Sequence, residues 1–106
     1  ALDRKILAET VVLSGTVPLV PFALPSTPEV AEQLRPFLAS GNSFLLEFHG
    51  ALSLGSSLEA AYQNLERMEF YAQVLWNLKV IGNQREFTPA QLERLQDLRL
   101  QLKKRE

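Results

Sequence analysis

Apolar and polar residues follow one another along this chain in the order strand, helix, two strands, long helix and helix. Residues 17–22, VPLVPF, are mostly apolar, but their two prolines cannot donate to a sheet ladder, so they predict an edge strand or a short extended segment. Thr27 and Pro28 favour a helix start, while Pro36 predicts that this helix is short or kinked. Gly41-Asn42 predicts its end.

Residues 43–49 and 51–54 predict two adjacent strands that are largely buried, because both runs are mostly apolar. Every second residue of a strand lies on the same face, so Leu45, Glu47 and His49 are predicted to share one face. His49 is the only histidine of the chain. We therefore expect an imidazole and a carboxylate to emerge together at the end of a buried strand, where sites are often built on a rigid scaffold.

A long helix is predicted after these strands. Ser56 and Glu59 fit a capping box at its start, and Gly82-Asn83 predicts its end after about Ile81. The aromatic residues of this helix favour a core or subunit contact over a ligand-binding box. The apolar stripe predicted to face the core is Leu58, Ala61, Tyr62, Leu65, Met68, Ala72, Leu75 and Trp76.

The last helix is predicted to begin at Thr88-Pro89, with Gln91 completing a second capping box. Its apolar side is formed by Leu92, Leu95, Leu98 and Leu102. No internal repeat or linker interrupts the order of elements. The pattern therefore predicts one α/β domain in which helices cover a sheet.

Composition narrows the class of protein without assigning a function. The chain has 106 residues, of which 46% are hydrophobic and 22% charged, as in one ordinary globular domain. A formal net charge of −1 creates no field that would recruit nucleic acid or anionic lipid, so we predict neither partner. The lack of cysteine rules out disulfides and thiolate metal sites and agrees with a reducing, cytoplasmic compartment. Residues 6–25 are long enough to span a membrane, but their polar residues and prolines predict that they do not.

The residue pattern does not by itself assign a reaction. A metal site usually needs three or four ligands, and this chain offers one histidine and scattered carboxylates. The glycine spacing matches neither a nucleophile elbow nor a phosphate-binding loop. On this pattern alone, His49 is more often a structural histidine satisfied by a neighbour than a ligand or a catalyst. Glu47 is more often salt-bridged or solvated than catalytic.

Residues 45–76, LLEFHGALSLGSSLEAAYQNLERMEFYAQVLW, resemble the class II aldolase/adducin family. The shared features are an aliphatic strand, a His-Gly pair, a further glycine, Leu-Glu-Ala-Ala and a long helix rich in glutamate and aromatic residues. Residues 17–27, VPLVPFALPST, resemble a segment that precedes this motif in the family. The resemblance spans roughly residues 9–100, nearly the whole chain.

The resemblance implies a mainly antiparallel central sheet flanked by helical layers, commonly assembled as a homo-oligomer, a tetramer. It also implies that His49 is one of three histidines that bind a divalent metal, usually zinc. The family's other two histidines and its acid/base glutamate belong to upstream motifs that this chain lacks. Residues 1–106 are therefore interpreted as one unit, the C-terminal part of such a domain, which should be inactive by itself.

The activity implied for the parent protein is reversible aldol cleavage of a phosphorylated ketose through a metal-stabilised enediolate. A 4-epimerase or a dehydratase of the same family remains open, and so does a non-catalytic, adducin-like assembly module. Phe22 and Phe48 stand where many members have tyrosine and asparagine, and the C-terminal tail has no tyrosine. These departures argue against fuculose phosphate as the substrate.

Overall fold

The computed structural model describes Leu2, residues 4–82 and residues 85–105. Within these residues, short elements precede a long helix and a final helix. They are α1 (Ala8–Leu13), β1 (Leu19–Val20), α2 (Glu29–Leu34) followed by a 3₁₀ turn (Arg35–Phe37), β2 (Ser43–Leu46), β3 (Gly50–Ser53), α3 (Leu58–Ile81) and α4 (Pro89–Lys103). No helix among them is both long enough and apolar enough to cross a membrane.

The three described strands form one sheet in the order β1-β2-β3. β1 runs parallel to β2, with Val20 opposite Leu46, and β2 runs antiparallel to β3, with Leu46 opposite Gly50. The prediction of an α/β fold is confirmed, and so is the edge position of the segment that contains β1. The sheet is mixed, however, rather than mainly antiparallel, because the chain returns from β1 through α2 before it enters β2 and so keeps the same direction.

The core lies where α1, the sheet and α3 meet. α3 packs on β2 and β3 and also contacts α1, while α4 packs on α1. The buried apolar side chains come from all three regions and are Val11, Val17, Val20, Phe44, Met68, Tyr71 and Leu75.

The apolar stripe predicted for α3 is only partly correct. Met68 and Leu75 are buried as expected, but Leu58 is 88% exposed and Trp76 is 67% exposed. The buried face is completed by Tyr71 and by Asn64, whose Nδ2 donates to the Leu54 carbonyl at 2.7 Å. α3 carries apolar residues on two sides, so the sequence could not show which side packs on the sheet.

The helix ends follow local signals with small shifts. Ser57, not Ser56, is the N-cap of α3, since its Oγ accepts the Ala60 N–H at 3.1 Å. Gly82 ends this helix in the left-handed conformation, as predicted, while Asn83 lies outside the described residues. The capping box predicted for α4 is confirmed, with Thr88 accepting from Gln91 and the Gln91 side chain accepting from Thr88.

The segment before β2 follows its prediction at Pro36 but not at Gly41. The helix α2 is short, and Pro36 lies in the 3₁₀ turn that follows it, which confirms the effect expected of proline. Gly41 does not end this helix but forms an isolated bridge with Gly15. A Cβ at position 41 would lie 2.6 Å from the Ser14 carbonyl oxygen, so a glycine is needed there for the two segments to approach.

The helix α1 was not predicted from the pattern. It has only six residues, and the described structure stabilises its carboxyl end from a distant part of the chain. The Arg99 guanidinium on α4 donates to the carbonyls of Val12 and Leu13, both at 2.8 Å. This contact satisfies carbonyls that a helix terminus leaves without an intrahelical partner.

Candidate functional site

His49 lies in a tight turn between β2 and β3. β2 ends at Leu46 and β3 begins at Gly50, so residues 47–49 reverse the chain. Phe48 adopts a left-handed φ of 56°, and the His49 N–H donates to the Leu46 carbonyl at 3.0 Å. The prediction that one strand continues to residue 49 is therefore wrong, because a three-residue reversal with a left-handed position replaces the last strand residues.

The imidazole of His49 is exposed, so it is not a core histidine. Within the described part of the chain, its side chain has no hydrogen bond or ion pair. Phe48 beside it is 91% exposed, so the tip of the turn projects into solvent. An accessible imidazole without a protein partner retains a nitrogen lone pair that can bind a metal ion.

The turn that carries His49 is attached to the residues that follow β1. The Glu47 N–H donates to the Val20 carbonyl at 3.0 Å, and the Phe22 N–H donates to Oε2 of Glu47 at 2.8 Å. The rings of Phe22 and Phe48 meet edge to face, with centroids 6.4 Å apart and an interplanar angle of 65°. A backbone hydrogen bond, a hydrogen bond to the Glu47 carboxylate and a contact between two aromatic rings therefore connect the turn to residues 20–22.

Glu47 and His49 lie close together, as the sequence predicted, although a turn rather than a strand face places them there. Both line a small cavity of about 20 Å³. A space of this size holds about one water molecule and no sugar phosphate. Its other lining residues are Val20, Pro21, Ala23, Pro25, Val30 and Leu46.

The residues of this segment fit a metal site only in part. An exposed imidazole on a hydrogen-bonded turn fits one ligand position of a zinc or similar divalent ion. Across the described ranges, no group of three or more His, Cys, Asp or Glu side chains is arranged to hold a metal ion. Any complete site would need ligands from outside these residues.

Sequence reasoning missed the contact between Glu47 and Phe22 and the left-handed backbone at Phe48. The second feature had a usable signal. The family resemblance places asparagine at position 48 in many members, and asparagine is among the few residues that adopt this conformation readily. The Glu47 contact joins residues 25 positions apart, so no local pattern could show it.

With this geometry described, comparison with known proteins identifies the family. The family model described as "Class II Aldolase and Adducin N-terminal domain" matches residues 3–76. The chain belongs to the class II aldolase and adducin family. The resemblance noted from the His-Gly motif is thus confirmed.

Curated relatives of this family member are named as decarboxylases. Over 75 residues, the chain is 37% identical to a 3-oxo-tetronate 4-phosphate decarboxylase of Escherichia coli, covering 71% of this chain and 35% of the relative. A protein of the same name from Haemophilus influenzae is 34% identical over 65 residues, covering 61% and 31%. The chain therefore spans about a third of the length of these relatives.

Two solved structures share the fold. They are YgbL of Escherichia coli and YgbL of Klebsiella pneumoniae, each described as an aldolase, epimerase or decarboxylase. The former is 32% identical with a TM-score of 0.74 and the latter is 33% identical with a TM-score of 0.74. Each match covers 88% of this chain and 44% of the other. These relatives carry names that differ in the reaction, decarboxylase for the curated proteins and aldolase, epimerase or decarboxylase for the solved structures.

Proposed function

We propose that this chain is part of a metal-dependent lyase that breaks a carbon–carbon bond in a phosphorylated sugar or sugar acid. The observation that carries the proposal is the exposed imidazole of His49 on a tethered turn, in a chain 37% identical to 3-oxo-tetronate 4-phosphate decarboxylases. We propose decarboxylation of a phosphorylated 3-oxo sugar acid as the first reaction to test. Aldol cleavage of a phosphorylated ketose is the second, since the solved relatives are described with both activities.

Both reactions require the active site to stabilise an electron pair that is left beside a carbonyl group. In a 3-oxo acid, breaking the bond to the carboxylate releases CO₂ and leaves the electron pair on C2, conjugated with the C3 carbonyl. Aldol cleavage leaves an equivalent electron pair beside a ketose carbonyl, and the fragment is then protonated at carbon. A divalent cation, zinc by family resemblance, would supply the Lewis acid that lowers the energy of these electron-rich oxygens.

His49 has a limited role in this proposal. Its neutral imidazole supplies one metal ligand from a fixed turn, so little conformational entropy is lost when the ligand binds. The remaining ligands, the phosphate-binding groups and the proton donor would come from residues outside this chain. The 106-residue chain alone should accordingly be inactive.

Alternatives within and outside enzymology remain as outcomes of the test. A 4-epimerase or dehydratase would use the same metal and the same electron-rich species. An adducin-like assembly module would need no metal, so it would have no use for an accessible imidazole at this turn. We also propose a cytoplasmic homo-oligomer that binds a phosphorylated sugar and neither nucleic acid nor membrane, consistent with a net charge of −1 and no cysteine.

The test uses the protein as its gene encodes it, beginning with intact mass and metal content. CO₂ release is then measured with 3-oxo-tetronate 4-phosphate, and aldehyde release with phosphorylated ketoses. His49→Ala should lower bound metal to well below one ion per site and reduce the rate by roughly 100-fold or more, because one of few metal ligands is lost. The control is Glu32→Ala, an exposed carboxylate on α2, which should retain both the metal and the rate.

The outcomes separate the proposals. Metal and turnover that persist in His49→Ala would contradict the assigned role of His49. A purified wild-type protein that binds no metal and converts none of these substrates would favour the assembly module. Turnover of ketoses without CO₂ release would replace the decarboxylase with the aldolase.

A further inference from the structure

The contact between Glu47 and Phe22 lies where regular pairing between β1 and β2 ends. Up to Glu47, backbone hydrogen bonds pair the two parallel strands. The Leu45 N–H donates to the Pro18 carbonyl, and the Glu47 N–H donates to the Val20 carbonyl. Phe22 follows Val20 by two residues, so its N–H is the next one directed toward β2. The chain leaves the sheet at Glu47 to form the turn, and the Glu47 carboxylate accepts this N–H at 2.8 Å instead of a backbone carbonyl.

The Glu47 side chain therefore extends the pairing of β1 with β2 into the turn. Pro21 lies between Val20 and Phe22 and restricts the backbone of the segment to which the carboxylate is attached. A hydrogen bond to a charged acceptor is stronger than one between neutral groups. Glu47 thus holds the turn from its side chain as well as from its backbone N–H.

The hydrogen bond between Glu47 and Phe22 lies close to His49 and can therefore affect how His49 is oriented. Glu47 is two residues from His49, and both line the same small cavity. His49 itself has only its backbone bond to Leu46 among the described residues, so its side chain is not held by a partner of its own. The direction in which the imidazole is presented depends on the conformation of the three-residue turn.

We propose that Glu47 is a positioning residue that orients His49 by tying the turn to Phe22. This inference rests on the proposed function, in which His49 is a metal ligand. In this role Glu47 is not itself a ligand, and it acts through the backbone of its turn. Groups that orient metal ligands in this manner typically change metal affinity by roughly 10- to 100-fold when removed.

The first measurement uses nuclear magnetic resonance on the 106-residue chain, in which the imidazole signals need no assignment because His49 is the only histidine. Glu47→Ala should speed hydrogen exchange at the Phe22 amide by roughly 10-fold and lower the order parameter of the His49 ring, since the carboxylate that accepts this amide is lost. Glu47→Gln should restore most of the protection, because its amide oxygen can accept the same N–H. Glu32→Ala, the matched exposed carboxylate, should leave both signals as in the wild type.

The second measurement gives zinc affinity by chelator competition in the protein as its gene encodes it. Glu47→Ala should weaken zinc binding by roughly 10- to 100-fold with rescue by Glu47→Gln, while Glu32→Ala has no effect. Unchanged Phe22 exchange and His49 order in Glu47→Ala would overturn the proposal, and so would a loss of thermal stability without a change at His49. If His49→Ala does not alter bound zinc, the proposed function is wrong. The magnetic resonance measurement still tests the contact between Glu47 and Phe22, because it does not depend on zinc.

Discussion

At the scale of single residues, the backbone of Phe48 decides how the candidate ligand is displayed. Its φ of 56° is a conformation in which a bulky L-residue is disfavoured by about 1–2 kcal/mol. The surrounding contacts offset this cost. The Phe48 ring packs edge to face on Phe22, and the neighbouring Glu47 forms two hydrogen bonds with residues 20–22. One left-handed residue thus converts a predicted strand end into an exposed turn that carries His49.

Two adjacent serines provide a residue-scale prediction. Ser57→Ala should lower the free energy of unfolding by about 1 kcal/mol, because Ser57 Oγ caps the Ala60 N–H at the start of α3. Ser56→Ala is the control and should change stability by less than about 0.5 kcal/mol, since Ser56 is exposed and is not the cap. Urea denaturation followed by circular dichroism measures both values. Equal losses would mean that the capping position is not restricted to Ser57.

At the scale of elements, α1 and α4 depend on each other. A six-residue helix is too short to be stable through its own hydrogen bonds in water. Arg99 on α4 donates to two carbonyls at the end of α1, and a Cβ at Gly15 would lie 3.0 Å from its guanidinium. Gly15, in the left-handed region with φ of 75°, therefore both ends α1 and leaves space for Arg99.

An arginine substitution tests this contact. Arg99→Met retains much of the aliphatic side chain but removes Nη1, which donates both hydrogen bonds to α1, and we expect it to lower the free energy of unfolding by about 2 kcal/mol. Hydrogen exchange should also increase most strongly at the amides of residues 11–15. Arg94→Met, an exposed position on the same helix, is the control and should change stability little. If both variants have the same effect, the loss reflects α4 itself and not its contact with α1.

At the scale of the whole molecule, one side of α3 remains uncovered. This outer face consists of Leu58, Tyr62, Trp76 and Val80, which recur at helical spacing and are 58–88% exposed. It forms two apolar patches, one at each end of α3, with the polar pair Glu69 and Gln73 between them, and exposed apolar patches commonly mark interaction surfaces. The outer face is therefore expected to pack against further protein.

Self-association of the 106-residue chain tests this expectation. Size-exclusion chromatography with light scattering should give a weight-average mass above 11.9 kDa that rises with concentration, because water-exposed apolar surface favours contact between copies. The double variant Trp76→Ser and Val80→Ser should lower that mass, whereas Leu100→Ser, an exposed leucine on α4, should not. A single species of 11.9 kDa at all concentrations would contradict the prediction.

Local chemistry accounts for the elements that sequence reasoning predicted well. The capping box of Thr88 and Gln91, the end of α3 at Gly82 and the short helix before Pro36 depend on residues within one or two turns of each other. The helix α1 could not be predicted in this way, because its stability comes from Arg99, more than eighty residues away. The face of α3 that packs on the sheet could not be predicted either, since two sides of the helix are apolar.

Residue spacing and local propensity were enough to predict the α/β class. The family and His49 as the candidate ligand came from the resemblance of residues 45–76 to known proteins, since the residue pattern alone favoured a structural histidine. The folded structure was needed to show that His49 lies on an exposed turn, that Glu47 attaches this turn to Phe22, and that the sheet is mixed. The physical reason is that a turn, a strand direction and a helix face are selected by contacts between residues far apart in the chain. Hydrophobic periodicity records which residues can be buried, and it carries no information about their partners.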